Sequence, residues 1–469
     1  MSITKSGPTH VTSELADPYA LSPEDVQEPP KTIRGRFRFL GPGMITSAAV
    51  VGSGELLTAT TLGAEVGFVL LWLVLVSTFI KVWVQVELGR WSISTGKVAV
   101  TGYDEVPPRI GKRGWMAWLV LLMFVQFLTS QAGVISASAF AFSSLLPIGG
   151  GGPYSFVSIG SWVAILVAIA IGIHLANKYT VVERLSTSLV LLVAVFAVVM
   201  VFAIQGTEFS WTPDQLGDGM RFQIALGSMG VALSMFGLTG VGAGEISAYT
   251  YWCVEKGYAA WTGQNDGSEA WVKRARGWIS VMKLDAWVSW FVYTISTAAF
   301  YMLGAAVLHP QGIVPKGDQV MTTISSIFST QVGQWGAVVF LVGAGIALFK
   351  TIIANVPSLG RQVGNTLAVF GAFDWNNQKQ RDRWMRVIMI VLPIVWGLFG
   401  TIVSSPLALV VLAGILNAVF LMGVAAATIY LSHRQTDPRV KDGKAFTVML
   451  VLSAAAIFFV GVMGLINTF

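Results

Sequence analysis

Long apolar runs alternate with short polar connections along almost the entire chain. They fall near 39–62, 67–88, 115–147, 156–176, 181–206, 221–251, 278–308, 333–356, 384–403, 406–431 and 446–467. About 20 apolar residues suffice for a helix to cross a hydrocarbon core, so the pattern predicts about eleven transmembrane helices. The first 30 residues are polar, carry Glu14, Asp17, Glu24 and Asp25, and lack the basic start and short apolar core of a leader. Residues 1–30 therefore read as a disordered cytoplasmic tail and 31–469 as one transmembrane domain. The connections 252–277 and 358–383 are too short to hold a further domain.

Composition supports the same solvent. Of 469 residues, 54% are hydrophobic and 12% charged, with a mean hydropathy of +0.68; a soluble domain carries about 25% charged residues. The net charge of +6 is explained by topology. With the N-terminus inside, nearly all Lys and Arg outside the spans fall on the cytoplasmic side, and only Arg221 and Lys316 fall outside. Positive loops resist translocation, which predicts a multi-pass protein of the cell membrane with a cytoplasmic N-terminus and an external C-terminus. The bilayer is the partner this implies, and no nucleic acid is needed to explain the charge. The single cysteine, Cys253, excludes an internal disulfide and a cysteine metal cluster. Trp72, Trp91, Trp115, Trp261, Trp271, Trp278, Trp335, Trp375 and Trp384 lie near helix ends and are expected to anchor at the interface.

Candidate chemistry sits in a repeated motif. The first run contains Gly52-Ser53-Gly54-Glu55 and the sixth Gly242-Ala243-Gly244-Glu245, preceded by Val241. These two runs enter the membrane from opposite sides, so the pattern recurs in antiparallel segments. That is the mark of a 5+5 inverted repeat whose paired helices break near the midplane and turn backbone groups toward a substrate. Glycine at alternate positions weakens a helix and permits the break. Each motif then places a carboxylate beside it. An ionised side chain at that depth costs at least about 2.5 kcal/mol and requires a partner; a bound cation is the simplest. The alternatives are a glycine groove for close helix packing, a protonated glutamate, or pairing with a buried lysine such as Lys81 or Lys350.

Other polar positions read more plainly. Lys81 and Lys350 are expected to snorkel from helix ends, Glu87 to pair with Arg90 across one turn, and Asp285 to stabilise the start of its own helix. Asn417 in the tenth run is either an ion ligand or an interhelical hydrogen bond. No nucleophile with a nearby base and no phosphate loop is visible, so an enzyme is not expected, and no cofactor is implied. A channel would show a pore-lining polar repeat.

From about Phe37 to Ser432 the chain resembles the Nramp family of divalent-metal transporters. The resemblance rests on Gly41-Pro42-Gly43, on Leu88-Gly89-Arg90 through Thr95-Gly96-Lys97, on Ala305-Ala306-Val307-Leu308-His309 and on Arg381 to Pro393. It implies an all-α, LeuT-like fold with helices one and six unwound at the ion. Counting without a gap from Gly41, the family's Asp-Pro-Gly-Asn falls on Gly52-Ser53-Gly54-Glu55, so Gly52 replaces the metal-binding Asp and Glu55 the Asn. The family's Met-Pro-His falls near Val241-Gly242-Ala243, which removes the thioether and the histidine. The third run lacks acidic residues, with Gln126, Ser130 and Gln131 in their place, so the usual proton coupling is not expected.

Loss of sulfur and gain of carboxylate favours hard cations such as Mg²⁺ or Mn²⁺. The candidate substrate site is thus Gly52, Ser53, Gly54, Glu55, Val241, Gly242, Ala243, Gly244, Glu245 and Asn417, with Glu55 and Glu245 as metal ligands. The glycines are expected to leave room for a hydrated ion. They equally suit the alternative, a cation-coupled transporter of an amine or amino acid, in which glycines make space for the solute. Binding without transport, as a receptor or scaffold, is a third class.

Overall fold

A computed structural model describes residues 15–175, 179–315, 333–403 and 405–468, together with Thr322 and Ser325. Apart from the two-residue hairpin Arg109–Ile110 with Arg113–Gly114, its regular structure among the described residues is helical. Ten helices among them are long and apolar enough to cross a membrane. The first apolar run is in pieces, Pro42–Val50, Ser53–Ala59 and Thr60–Val66, each too short alone. Counting that run as helix one, helix two is Leu71–Thr95, three Trp115–Leu145, four Phe156–Leu175 and five Tyr179–Ala203. Helix six is Met229–Leu238 and Ala243–Lys256, seven Glu269–Leu303, eight Gln334–Val369, nine Gln378–Ile402, ten Pro406–Gln435 and eleven Lys444–Thr468.

Local signals set many of these ends. The Ser268 hydroxyl accepts the Trp271 amide to start helix seven, and the Asn377 side chain accepts that of Gln380 to start helix nine, as capping residues do. Gly96 ends helix two and Gly257 ends helix six, both with positive φ.

The two broken helices lie at the centre. Helix three packs along helices eight and ten, the first half of helix six along ten, and helix seven along two. Helices four, five, nine and eleven form the periphery, where Phe156, Leu192, Phe202, Leu398 and Phe459 stand exposed. An apolar surface of that extent is unsuited to water and ordinary against lipid tails.

At the end of the bundle rich in Lys and Arg, two expectations need correcting. The described part of the N-terminal tail is docked rather than loose. The Gln27 amide donates to the Trp261 carbonyl at 3.0 Å, the Trp278 indole donates to the Gln27 carbonyl at 2.9 Å, and Arg381 pairs with Asp17 at 2.6 Å. The Tyr19 hydroxyl donates to Glu255 at 2.6 Å, and burial, reinforced by Glu255, raises its pKa well above the ordinary value. Backbone groups of the tail, its Tyr19 hydroxyl and its acid Asp17 thus all hold it in place; residues 1–14 lie outside the description. Trp261, Trp271 and Trp278 are buried in a cluster with Phe39 and Tyr258, and Trp91 in the main core, rather than lying at an interface. The Trp271 and Trp278 indoles have protein partners, which makes burial affordable.

Candidate functional site

Both central helices are interrupted where their glycines lie. In helix one the α-helix ends at Val50, and after Val51 and Gly52 the chain resumes as a π-helical stretch. In helix six it ends at Leu238 and resumes at Ala243. Gly240 sits in the gap with φ +63, a left-handed conformation that glycine adopts without penalty. The two breaks touch: a Cβ placed on Gly54 would lie 2.8 Å from the Leu238 carbonyl oxygen and 3.2 Å from the Thr239 nitrogen.

Each break creates a fresh pair of helix ends, with carbonyls that have lost their partners on one side and amides on the other. Oppositely charged side chains meet them. On the amide side, Glu55 accepts the Gly52 N–H at 3.0 Å and the Thr297 hydroxyl at 3.0 Å, while Glu245 accepts the Gly242 N–H at 3.2 Å. On the carbonyl side, Lys350 donates to the carbonyls of Ala48, at 3.0 Å, and Val51. Lys81 donates to those of Phe236 and Thr239, the latter at 2.6 Å. Negative charge at a helix start and positive charge at a helix end are the arrangement a helix dipole favours, by about 0.3–1 kcal/mol at a surface and up to about 2 when partly buried.

Lys81 and Lys350 are thus not snorkelling residues. Both are buried, and their ammonium groups are spent on the breaks. The Asp285 expectation is corrected in the same way. That residue lies inside helix seven, and its carboxylate accepts the amides of Gly41 at 2.8 Å and Gly43 at 2.5 Å and the Tyr249 hydroxyl at 3.0 Å. It caps the start of helix one rather than its own helix. Glu87 does pair with Arg90, and both join Asp442 and Lys283 in one network.

Asn417 takes the interhelical role. Its carbonyl oxygen accepts the Ala243 N–H at 2.9 Å and its amide donates to the Gly237 carbonyl at 3.1 Å, which fastens helix ten to both sides of the helix-six break. Val241 and Ala243 are buried; for Ser53 only the backbone is described. Of the two glutamates, Glu55 is buried and Glu245 is partly accessible. Both lie within Coulombic reach of Lys81, and Glu55 also of Lys350.

The glycines do not leave the space expected of them. A Cβ on Gly52 would lie 2.2 Å from the Thr351 hydroxyl oxygen, on Gly242 2.1 Å from the Asn417 amide nitrogen, and on Gly244 2.8 Å from the Phe127 ring. They let neighbouring groups approach the backbone. Three participants escaped the sequence reading. Thr297 was missed because a hydroxyl in an apolar helix usually bonds its own backbone, as this one also does to Tyr293. Thr351 bonds Val51 at the break in the same unremarked way. Met235 places its sulfur 3.2 Å from the Thr239 hydroxyl, so a thioether stands one turn before the break after all.

Two interrupted helices packed break to break at the centre of a helical bundle are the architecture of the LeuT-like fold. Solved structures share this fold. A histidine-to-alanine variant of a manganese transporter from Eremococcus coleocola superposes with a TM-score of 0.66 at 15% identity, covering 96% of this chain and 90% of that one. MhsT in complex with L-phenylalanine gives 0.54 at 16% identity, covering 93% and 100%. Mhp1, of the nucleobase-cation-symport-1 family, gives 0.56 at 14%, covering 91% and 90%. An uncharacterized protein of Pasteurella multocida (strain Pm70) is 22% identical over 338 residues, 70% of each chain. The family model described as natural resistance-associated macrophage protein-like, Nramp, matches residues 43–467. The chain belongs to the Nramp family of metal-ion transporters and is not an enzyme.

Proposed function

We propose that this transporter moves a hard divalent cation, Mg²⁺ or Mn²⁺, by alternating access between the two breaks, with Glu55 and Glu245 as its ligands. The observation that carries the reading is that each break presents one carboxylate and that the breaks face each other. Carboxylate and carbonyl oxygens suit hard cations, and Met235 is turned toward Thr239. The glycines are tightly packed here, so the ion enters only after the helix halves separate. Glu245, the more accessible carboxylate, meets it first. Helix three carries glutamines and serines where a proton route would need acids, and flux runs without stoichiometric proton movement. The membrane is the cell membrane, with the basic end cytoplasmic.

A second reading, a cation-coupled transporter of an amine or amino acid, has its own support. Lys81 and Lys350 already neutralise the break, and Asn417 is occupied at both ends. That leaves fewer groups for a metal than the family's usual site has. Calorimetric titration of the purified protein with Mg²⁺, Mn²⁺ and Ca²⁺ beside a panel of amino acids and amines separates the two. On the first reading divalent ions bind, and Glu245→Gln weakens them about tenfold, equivalent to about 1.4 kcal/mol. Absence of divalent-ion binding at millimolar concentration, with binding of an amine or amino acid, overturns it in favour of the second.

A further inference from the structure

The carbonyl ends of the two breaks are built like small-cation sites. At the first, the Ala48 and Val51 carbonyls converge on one point, with the Thr351 hydroxyl on the same Val51 oxygen at 3.3 Å. At the second, the Phe236 and Thr239 carbonyls converge, with the Ser77 and Thr239 hydroxyls 3.0 Å apart beside them. Unwound carbonyls and half-helix C-termini are the groups with which transporters of this architecture coordinate sodium. Here each point of convergence holds a lysine nitrogen. The two lysines come from different helices, Lys81 from helix two and Lys350 from helix eight, yet each ends on two of the carbonyls that its break releases. An ammonium group is a compact point charge with three donors, close in charge and bonding demand to a small monovalent cation.

We infer that Lys350 and Lys81 are resident, covalently tethered cations: they occupy the carbonyl sites of the two breaks that a free monovalent ion would otherwise fill. The protein therefore neither binds nor needs sodium in order to hold its broken helices. This goes beyond the choice of substrate and holds for the first reading, and for the second where the coupling cation is a proton. A consequence is that removing a lysine creates an ion requirement. Truncation at Lys350 leaves the Ala48 carbonyl unpaired and the Val51 carbonyl with the Thr351 hydroxyl alone, beside the volume that the lysine stem vacates, where a sodium ion can bind the two oxygens directly.

The test compares purified full-length wild type with Lys350→Ala and Lys81→Ala by equilibrium binding of radioactive sodium and by thermal midpoint in NaCl, KCl, NH₄Cl and choline chloride. Wild type is expected to show no saturable sodium binding and the same midpoint in all four salts. Each alanine variant is expected to bind sodium saturably, several-fold above wild type, and to melt higher in NaCl or NH₄Cl than in choline chloride. Lys350→Met, which refills the volume without a donor, should lose the salt effect. If a variant is too unstable to purify in choline, recovery of monodisperse protein on size exclusion becomes the readout. Recovery in a small-cation salt but not in choline supports the inference, and equal loss in all four salts overturns it. Saturable sodium binding by wild type, or folded alanine variants indifferent to the salt, overturns it too.

Discussion

Replacing Gly52 by alanine tests how tightly the first break is held, and a second substitution isolates the contact responsible. The new methyl would stand 2.2 Å from the Thr351 hydroxyl oxygen, 3.0 Å from the Ala347 carbonyl and 3.4 Å from Thr351 Cβ. The first distance is more than an ångström short of ordinary contact, so helices one and eight must part; forced overpacking costs about 1–3 kcal/mol. Thr351→Ala alone removes hydroxyl bonds to the Val51 and Ala347 carbonyls, at 3.3 and 3.2 Å, for about 0.5–1.5 kcal/mol. In the double variant the closest obstacle is the Ala347 carbonyl, which needs to yield only a few tenths of an ångström. Any backbone cost of alanine at position 52 appears in both Gly52 variants and cancels in the cycle. The double variant should therefore be more stable than the sum of the singles by about 1–2 kcal/mol, a coupling typical of residues in contact. Denaturant unfolding of the four purified proteins in one detergent measures it. Additivity within about 0.5 kcal/mol would show that the break is not packed against Thr351.

Asp285→Asn should lower stability by about 1.5–3 kcal/mol, because an amide nitrogen then faces the Gly41 or Gly43 N–H in place of a charged acceptor; an unchanged thermal midpoint counts against the cap. Glu55→Gln should change basal stability more than Glu245→Gln, since Glu55 satisfies both Gly52 and Thr297 whereas Glu245 holds Gly242. Paired melting curves decide, and equal effects refute the ranking. Docking of the tail should weaken with alkali. The Tyr19 phenol is held above its ordinary pKa when buried, so its contribution is complete below about pH 10 and falls as pH rises past that value, where the free phenol ionises. Protease susceptibility of the tail should rise there in wild type, while Tyr19→Phe should lose this pH dependence; persistence of the alkaline step in the variant assigns it elsewhere.

The spans, the two breaks and the fold class were legible because they follow from period-free properties: apolar length, alternate glycines and the recurrence of one motif in antiparallel context. The partners at the breaks were not, because they come from distant segments. Lys350 is about 300 residues from the carbonyls it reaches, and Lys81 about 155. A buried lysine and a snorkelling one look alike in sequence, since both sit in apolar helices and differ only in what the fold places at the end of a long stem. Asp285 misled for the same reason: a carboxylate two residues from Lys283 invites a local account, whereas Gly41 and Gly43 lie some 240 positions away. Alternate glycines are equally ambiguous between space and close approach, and only the position of Thr351, Asn417 and Phe127 decides it.

Asn417 makes the two interrupted helices mechanically unlike. One side chain grips both halves of helix six, at Gly237 and at Ala243, so a rotation of that helix carries helix ten along as a single rocker. Helix one has separate moorings. Its first half is tied to helix eight through Lys350 and Asn355 and to helix seven through Asp285. Its second half is tied to helix seven through Thr297 and the Phe300 carbonyl, and to His309 just beyond that helix at the Ala64 carbonyl. Torque applied across the bundle therefore meets a joint splinted by one side chain in one repeat and a joint bridged only along the length of helix seven in the other. The pseudo-symmetric architecture is thus braced unequally at its two breaks.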